Sequence, residues 1–164
     1  MSTNEQLIAE LKQESAKTRK MLERVPLDKA DWKPHDKSTS IGRLATHVAK
    51  TPLWFDRILS ADSFDFATAT FSTQDPADTN ELLQIHDETV AKAVSLLEAA
   101  TDESLNKIGK LHHGEQVYYE LPKSVLLRNF AYNHIYHHRG QLSVYLRLLD
   151  VPVPGMYGPS ADER

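Results

Sequence analysis

A chain of 164 residues, 40% hydrophobic and 26% charged, is long enough to bury one sizeable core without covalent staples. Its formal charge of −4 leaves no basic footprint for nucleic acid, and no apolar run approaches the roughly 20 residues of a membrane span. The absence of cysteine excludes disulfides, thiolate ligands and a thiol nucleophile, so any metal chemistry falls to histidine, of which there are eight. The start, Met-Ser-Thr-Asn-Glu-Gln, lacks the basic and apolar segments of a secretory signal, which makes a cytoplasmic protein of one domain over residues 1–164 the expectation.

Residues 4–24 read as a first helix, with Leu7, Leu11, Thr18 and Leu22 as its inward stripe and Ser2 or Thr3 opening a capping box. The stretch 25–39 holds Pro26, Trp32 and Pro34 among short polar residues, the composition of an ordered linker. A linker that long between bundle helices is often functional. A second helix starts at Ser38 or Ser40 and carries Ile41, Leu44, Ala45, Val48, Trp54, Phe55 and Ile58 inward, with a kink at Pro52. Residues 60–77 read as loop. Asp78 with Glu81 caps a third helix that runs to about Ala100.

From Thr101 to Leu121 the periodicity is weak, and Val117-Tyr-Tyr after His113-Gly-Glu suggests a small hairpin near 108–120. Pro122 suits the first turn of a fourth helix that continues to Leu149. Gly140 inside it costs about 1 kcal/mol against alanine, and close backbone packing beside a site is the expected compensation. The tail from Asp150 to Pro159 is too rich in proline and glycine for regular structure. The fold class is therefore all-α, four long helices around one core with long crossover loops.

The fourth helix carries the chemistry. His134 and His138 share the face of Leu127, Phe130, Ala131, Leu142, Tyr145 and Leu149, and Cβ atoms four apart on a helix lie about 5–6 Å from each other. Two imidazoles so placed can close on one ion at roughly 2.0–2.1 Å. His47, beside Leu44 and Val48 on the second helix, is the candidate third ligand; three protein ligands leave a coordination position open, as catalytic sites require. The spacing fits hydrogen-bonded core histidines as well as ligands, and a lone histidine near an apolar face, such as His47, more often belongs to the core.

The neighbours of the pair sort by angle. His137 and Arg139 stand about 100° round the helix from His138 and cannot share its ion. Gln141, one turn on, either holds a ligand's second nitrogen or packs as an ordinary polar residue. A His-x-x-x-His metalloprotease would place glutamate after the first histidine, where this chain has Ile135. No Gly-x-Ser-x-Gly elbow supports a serine hydrolase. His112 and His113 read as solvent-exposed, His86 as core or interfacial, and His35 as a residue at the mouth of a site built on His47.

Three pieces carry a family resemblance: Trp32-Lys-Pro-His-Asp-Lys-Ser38, Ser40-Ile-Gly-Arg-Leu-Ala-Thr-His47 and Asn133-His134-Ile-Tyr-His137-His138-Arg-Gly-Gln141, with the tail from Asp150. They span nearly the whole chain and resemble the DinB-like superfamily, which includes thiol-dependent S-transferases. The resemblance implies a four-helix bundle of up-down-down-up connectivity. It also implies a divalent metal, zinc or nickel in many members, on His47, His134 and His138, with His137 not a ligand. Homodimers are common among members.

The leading expectation is a metal-dependent S-transferase that activates a low-molecular-weight thiol such as bacillithiol, mycothiol or glutathione. The alternatives are a hydrolase using metal-bound hydroxide, with substrate oriented by the 25–39 loop, and a non-catalytic metal-binding or interaction bundle. The expected partner is a small-molecule substrate, not nucleic acid or membrane. Neither the metal, nor the thiol, nor its acceptor is named by these residues.

Overall fold

The structure is a computed structural model and describes residues 2–70 and 75–163. Helix α1 (Thr3–Leu22) opens on Ser2, whose N–H donates to the Glu5 carboxylate at 2.7 Å. The second predicted helix is two: α2 (Ile41–Lys50) and α3 (Leu53–Leu59). Pro52 ends the first instead of bending it, because it offers no N–H to continue the ladder; just before the break the Thr51 hydroxyl donates to the His47 carbonyl at 2.7 Å. Helix α4 (Thr79–Ala99) starts where expected, its Asp78 carboxylate accepting from the Glu81 N–H at 2.9 Å. A short α5 (Asp102–Asn106), capped by Thr101 and Ser104, lies in the stretch of weak periodicity.

The all-α expectation needs correction. The hairpin near 108–120 forms as β2 (Ile108–His113) and β3 (Gln116–Pro122), turning at Gly114 with φ +56°. A third strand, β1 (Ser63–Asp65), pairs parallel to β2 with Phe64 opposite Leu111, making a sheet of order β1-β2-β3. Part of the expected 60–77 loop is therefore strand; residues 71–74 of it lie outside the described residues. His112 is not simply solvated: its Nδ1 lies 2.9 Å from the Gly114 carbonyl, and Asp65 accepts from the Gly114 N–H at 3.0 Å. The molecule is mostly helical with this small sheet at one side.

The last long helix is interrupted. α6 (Lys123–Leu127) passes through a π-helical turn over Arg128–Tyr132 into α7 (Asn133–Leu148). Such a turn inserts one residue into the helical ladder and is found often at functional positions. Within it Ala131 and Tyr132 pack with Leu11, Phe55 and Leu97; beyond it Leu142 and Leu146 pack with Leu22, Ile41 and Leu44. On the α1 side Arg139 is 3% exposed and donates to the Glu14 carboxylate at 2.5 Å and the Glu14 carbonyl at 2.9 Å. The Tyr157 hydroxyl from the tail joins the same carboxylate at 2.7 Å.

The linker 25–39 is fastened to α2. Ile41 N–H donates to the Trp32 carbonyl at 2.8 Å and Gly42 N–H to the Ala30 carbonyl at 2.9 Å. A Cβ on Gly42 would stand 2.8 Å from Ala30 Cβ, so the approach needs glycine. Gly140 behaves otherwise: a Cβ there meets nothing within 4 Å, and the expected backbone packing beside the site is absent.

Two stability predictions follow from these contacts. Gly140→Ala should stabilise the protein by about 0.5–1 kcal/mol in urea unfolding, since alanine fits the helix and restricts the unfolded chain. Arg139→Met should destabilise it by about 1–3 kcal/mol, because the Glu14 carboxylate loses its buried partner and keeps only Lys17 at 2.8 Å and the Tyr157 hydroxyl.

Candidate metal centre

His47 stands on the last full turn of α2, and its side chain crosses to α7. The Nε2 atoms of His47 and His134 are 3.0 Å apart. The ring centroids of His47 and His138 lie at 4.4 Å, those of His134 and His138 at 4.6 Å. One ligating atom from each of the three falls within 4.8 Å of the others. Around a tetrahedral ion with bonds of 2.0–2.1 Å, ligand atoms stand about 3.4 Å apart, so small ring rotations close the set.

The second nitrogens are held from behind. His134 Nδ1 donates to the Phe130 carbonyl at 3.2 Å, a group presented by the π-helical turn. His138 Nδ1 lies 2.7 Å from Gln141 Oε1, the hydrogen bond that fixes its tautomer. With both Nδ1 atoms protonated, the Nε2 lone pairs of His134 and His138 are left for an ion. Two lone pairs facing one another at 3.0 Å attract only if a proton or a cation lies between them, and the donor set suits a divalent metal. His47 and His134 can share a proton instead, but His138 then has no role in the cluster.

Electrostatics keep the rings neutral. Burial, followed by the neighbouring His138 and His134 charges, pushes His47 down to about 4. Burial likewise lowers His134 and His138, with His138 and His137 adding repulsion respectively. Neutral imidazole is the ligating form, so these groups need lose no proton to bind a metal at neutral pH.

A cleft of about 440 Å³ opens on one side of His47 and also touches His134, Trp54 and Asp75. A second, of about 480 Å³, opens on the other side against His138, Gln141 and Tyr145. His47 lies between them, so the cluster is accessible from solvent. His35, expected at the mouth, is exposed and lines neither cleft; its Nδ1 accepts from the Lys37 N–H at 3.1 Å, and Ser38 and Thr39 take that place. His137 is exposed, and His86 is 2% exposed with Nε2 at 3.2 Å from the Ser15 carbonyl.

The sequence reading missed the cationic and aromatic wall of the first cleft. Arg43, Lys50, Trp54 and Arg57 line it with His47, and their spacing of i, i+4, i+7, i+11 and i+14 was a visible signal. These positions run across the break at Pro52, with Arg43, His47 and Lys50 on α2 and Trp54 and Arg57 on α3.

A helical bundle with a side sheet, carrying three convergent imidazoles open to solvent, defines a class of protein able to hold one divalent ion. Comparison takes the class to a family: the DinB family model matches residues 1–164, and the chain belongs to the DinB family. Among solved structures it is similar to the DinB-like protein YjoA of Bacillus subtilis, with 20% identity, TM-score 0.70 and coverage of 97% of this chain and 99% of that one. A DinB-like protein of Bacillus cereus ATCC 10987 shares 24% identity at TM-score 0.69, covering 89% and 92%. YfiT of Bacillus subtilis, described as a probable metal-dependent hydrolase with an unusual four-helix bundle topology, shares 18% at TM-score 0.61, covering 92% and 90%. At such identities the likeness is one of fold. No curated protein matches the chain, and among the described residues no helix is long and apolar enough to cross a membrane.

Gln141→Leu should weaken zinc or nickel binding about 10–100-fold without loss of fold, the usual cost of removing a ligand's support, measured by competition with a chromophoric chelator. For the metal-free protein, the unfolded chain takes up a proton on His47 near pH 6.5, whereas the folded ring does so only near 4. Stability should therefore fall as pH drops from about 6.5 toward 4, and His47→Gln should flatten that fall in melting temperature.

Proposed function

We propose that the protein is a metal-dependent S-transferase acting on a low-molecular-weight thiol, with zinc or nickel held by His47, His134 and His138. The observation that carries the reading is the meeting of three neutral imidazoles beside two clefts. It is proposed as a soluble single-domain bundle with the up-down-down-up connectivity of its family.

When bound, a divalent ion supplies the positive charge that stabilises a thiolate, or lowers the pKa of water, near neutral pH. The chain's own residues set the conditions for that. Gln141 and the Phe130 carbonyl orient the rings. Trp54 shields His134 on the cleft side, ring centroids 6.3 Å apart. Asp75 is the only carboxylate among the described residues lining that cleft, and the Thr46 hydroxyl lies 3.4 Å from its Oδ1. As a carboxylate in that cleft it is proposed as the group that accepts the proton the thiol gives up.

A hydrolase is the second reading, favoured by the description of YfiT; there Asp75 takes a proton from water. Metal-loaded protein incubated with bacillithiol, mycothiol or glutathione and a bimane electrophile should show conjugation with at least one thiol, lost in the chelated protein and in His134→Ala. Ester cleavage without thiol would establish the hydrolase instead. Neither activity would leave a non-catalytic metal-binding bundle.

A further inference from the structure

The cleft beside His47 has a charge of its own. Among the described residues, Arg43, Lys50 and Arg57 line it against one carboxylate, Asp75, in a chain whose net charge is −4. Asp56, adjacent to Arg57 in sequence, is bridged by Lys92 at 2.6 Å and also attracts Arg57. Arg57 is fixed by stacking, its guanidinium carbon 4.9 Å from the Trp54 ring centre and 5.4 Å from that of Phe64. Cation–π contact helps to fix the plane of the guanidinium. Leu53 and Trp54 give the same cleft an apolar wall.

The histidine cluster adds to this field. Three neutral imidazoles bring no negative charge, so an ion bound there keeps its full double charge at the cleft's edge. A concave, low-dielectric wall focuses such a field on whatever enters. At about 440 Å³ the space suits a small molecule.

We propose that this cleft selects a small organic anion, its carboxylate or phosphate met by Arg43, Lys50 and Arg57, its apolar part against Leu53 and Trp54, and its reacting group toward the histidines. The assignment of the reacting end rests on the proposed metal centre; the anion preference rests on the cations.

Calorimetric titration of the zinc-loaded and the metal-free protein with benzoate, phenyl phosphate and neutral benzamide separates the two. In the zinc-loaded form at least one anion should bind about tenfold or more tightly than benzamide, less so at high salt. The ratio of benzoate to phenyl phosphate decides between carboxylate and phosphate. The double variant Arg43→Gln/Lys50→Gln, and separately Arg57→Gln, should lose that preference about tenfold while zinc content and melting temperature stay at the parent values. Anion preference in a protein that takes up no zinc would retain this site and remove the metal centre. Equal binding of benzamide, no binding of any probe to zinc-loaded protein, or anion binding untouched by all three substitutions would overturn the proposal, the last because the ion alone would then be the anchor.

Discussion

The buried pair of Arg139 with Glu14 sets how α7 is turned about its axis. Arg139 reaches α1 at 2.5 Å from the Glu14 carboxylate, with both residues almost wholly shielded. His138 precedes it by one residue, about 100° round the helix, and His134 lies one turn back on the same side as His138. Fastening one face of α7 to α1 therefore presents the histidine face to α2. Apolar contacts alone would tolerate some rotation; an ion pair in a dry setting does not, because a small turn leaves a charge without its partner.

The π-helical turn completes the placement from the other end. It carries Ala131 and Tyr132 into one packed group, with Leu126 and Leu127 before it, while Leu142 and Leu146 beyond it belong to the other. One extra residue in the ladder lets both groups face the core while His134 still points at His47. The same turn leaves the Phe130 carbonyl available to His134 Nδ1. Support for a ligand and packing of a core are thus met by a single local departure from regular helix.

Much of this was legible in the residues, for identifiable reasons. Helices α1 and α4 announce themselves through Ser2 with Glu5 and Asp78 with Glu81, local hydrogen bonds that need no tertiary knowledge. The pair His134 and His138 is visible because helical spacing is a local rule. The arrival of His47 beside them is tertiary: its place beside Leu44 and Val48 makes it a candidate, and the resemblance to a known family favours a ligand over a core histidine. Strand β1 was invisible because three residues carry too little pattern, and Ser63–Asp65 is strand only by virtue of pairing with β2. Pro52 in a helical pattern predicts a kink, where the chain instead restarts its helix, and Gly140 predicts a packing role that its surroundings do not contain.

An ion cage with solvent on one side is the claim on which the proposed chemistry depends. X-ray absorption at the metal edge of zinc- or nickel-loaded protein tests it most directly. The account predicts three imidazole nitrogens at about 2.0–2.1 Å with at least one lighter, exchangeable ligand, and two imidazoles in His47→Ala. A spectrum with one imidazole or none, or one that His47→Ala leaves unchanged, would contradict it.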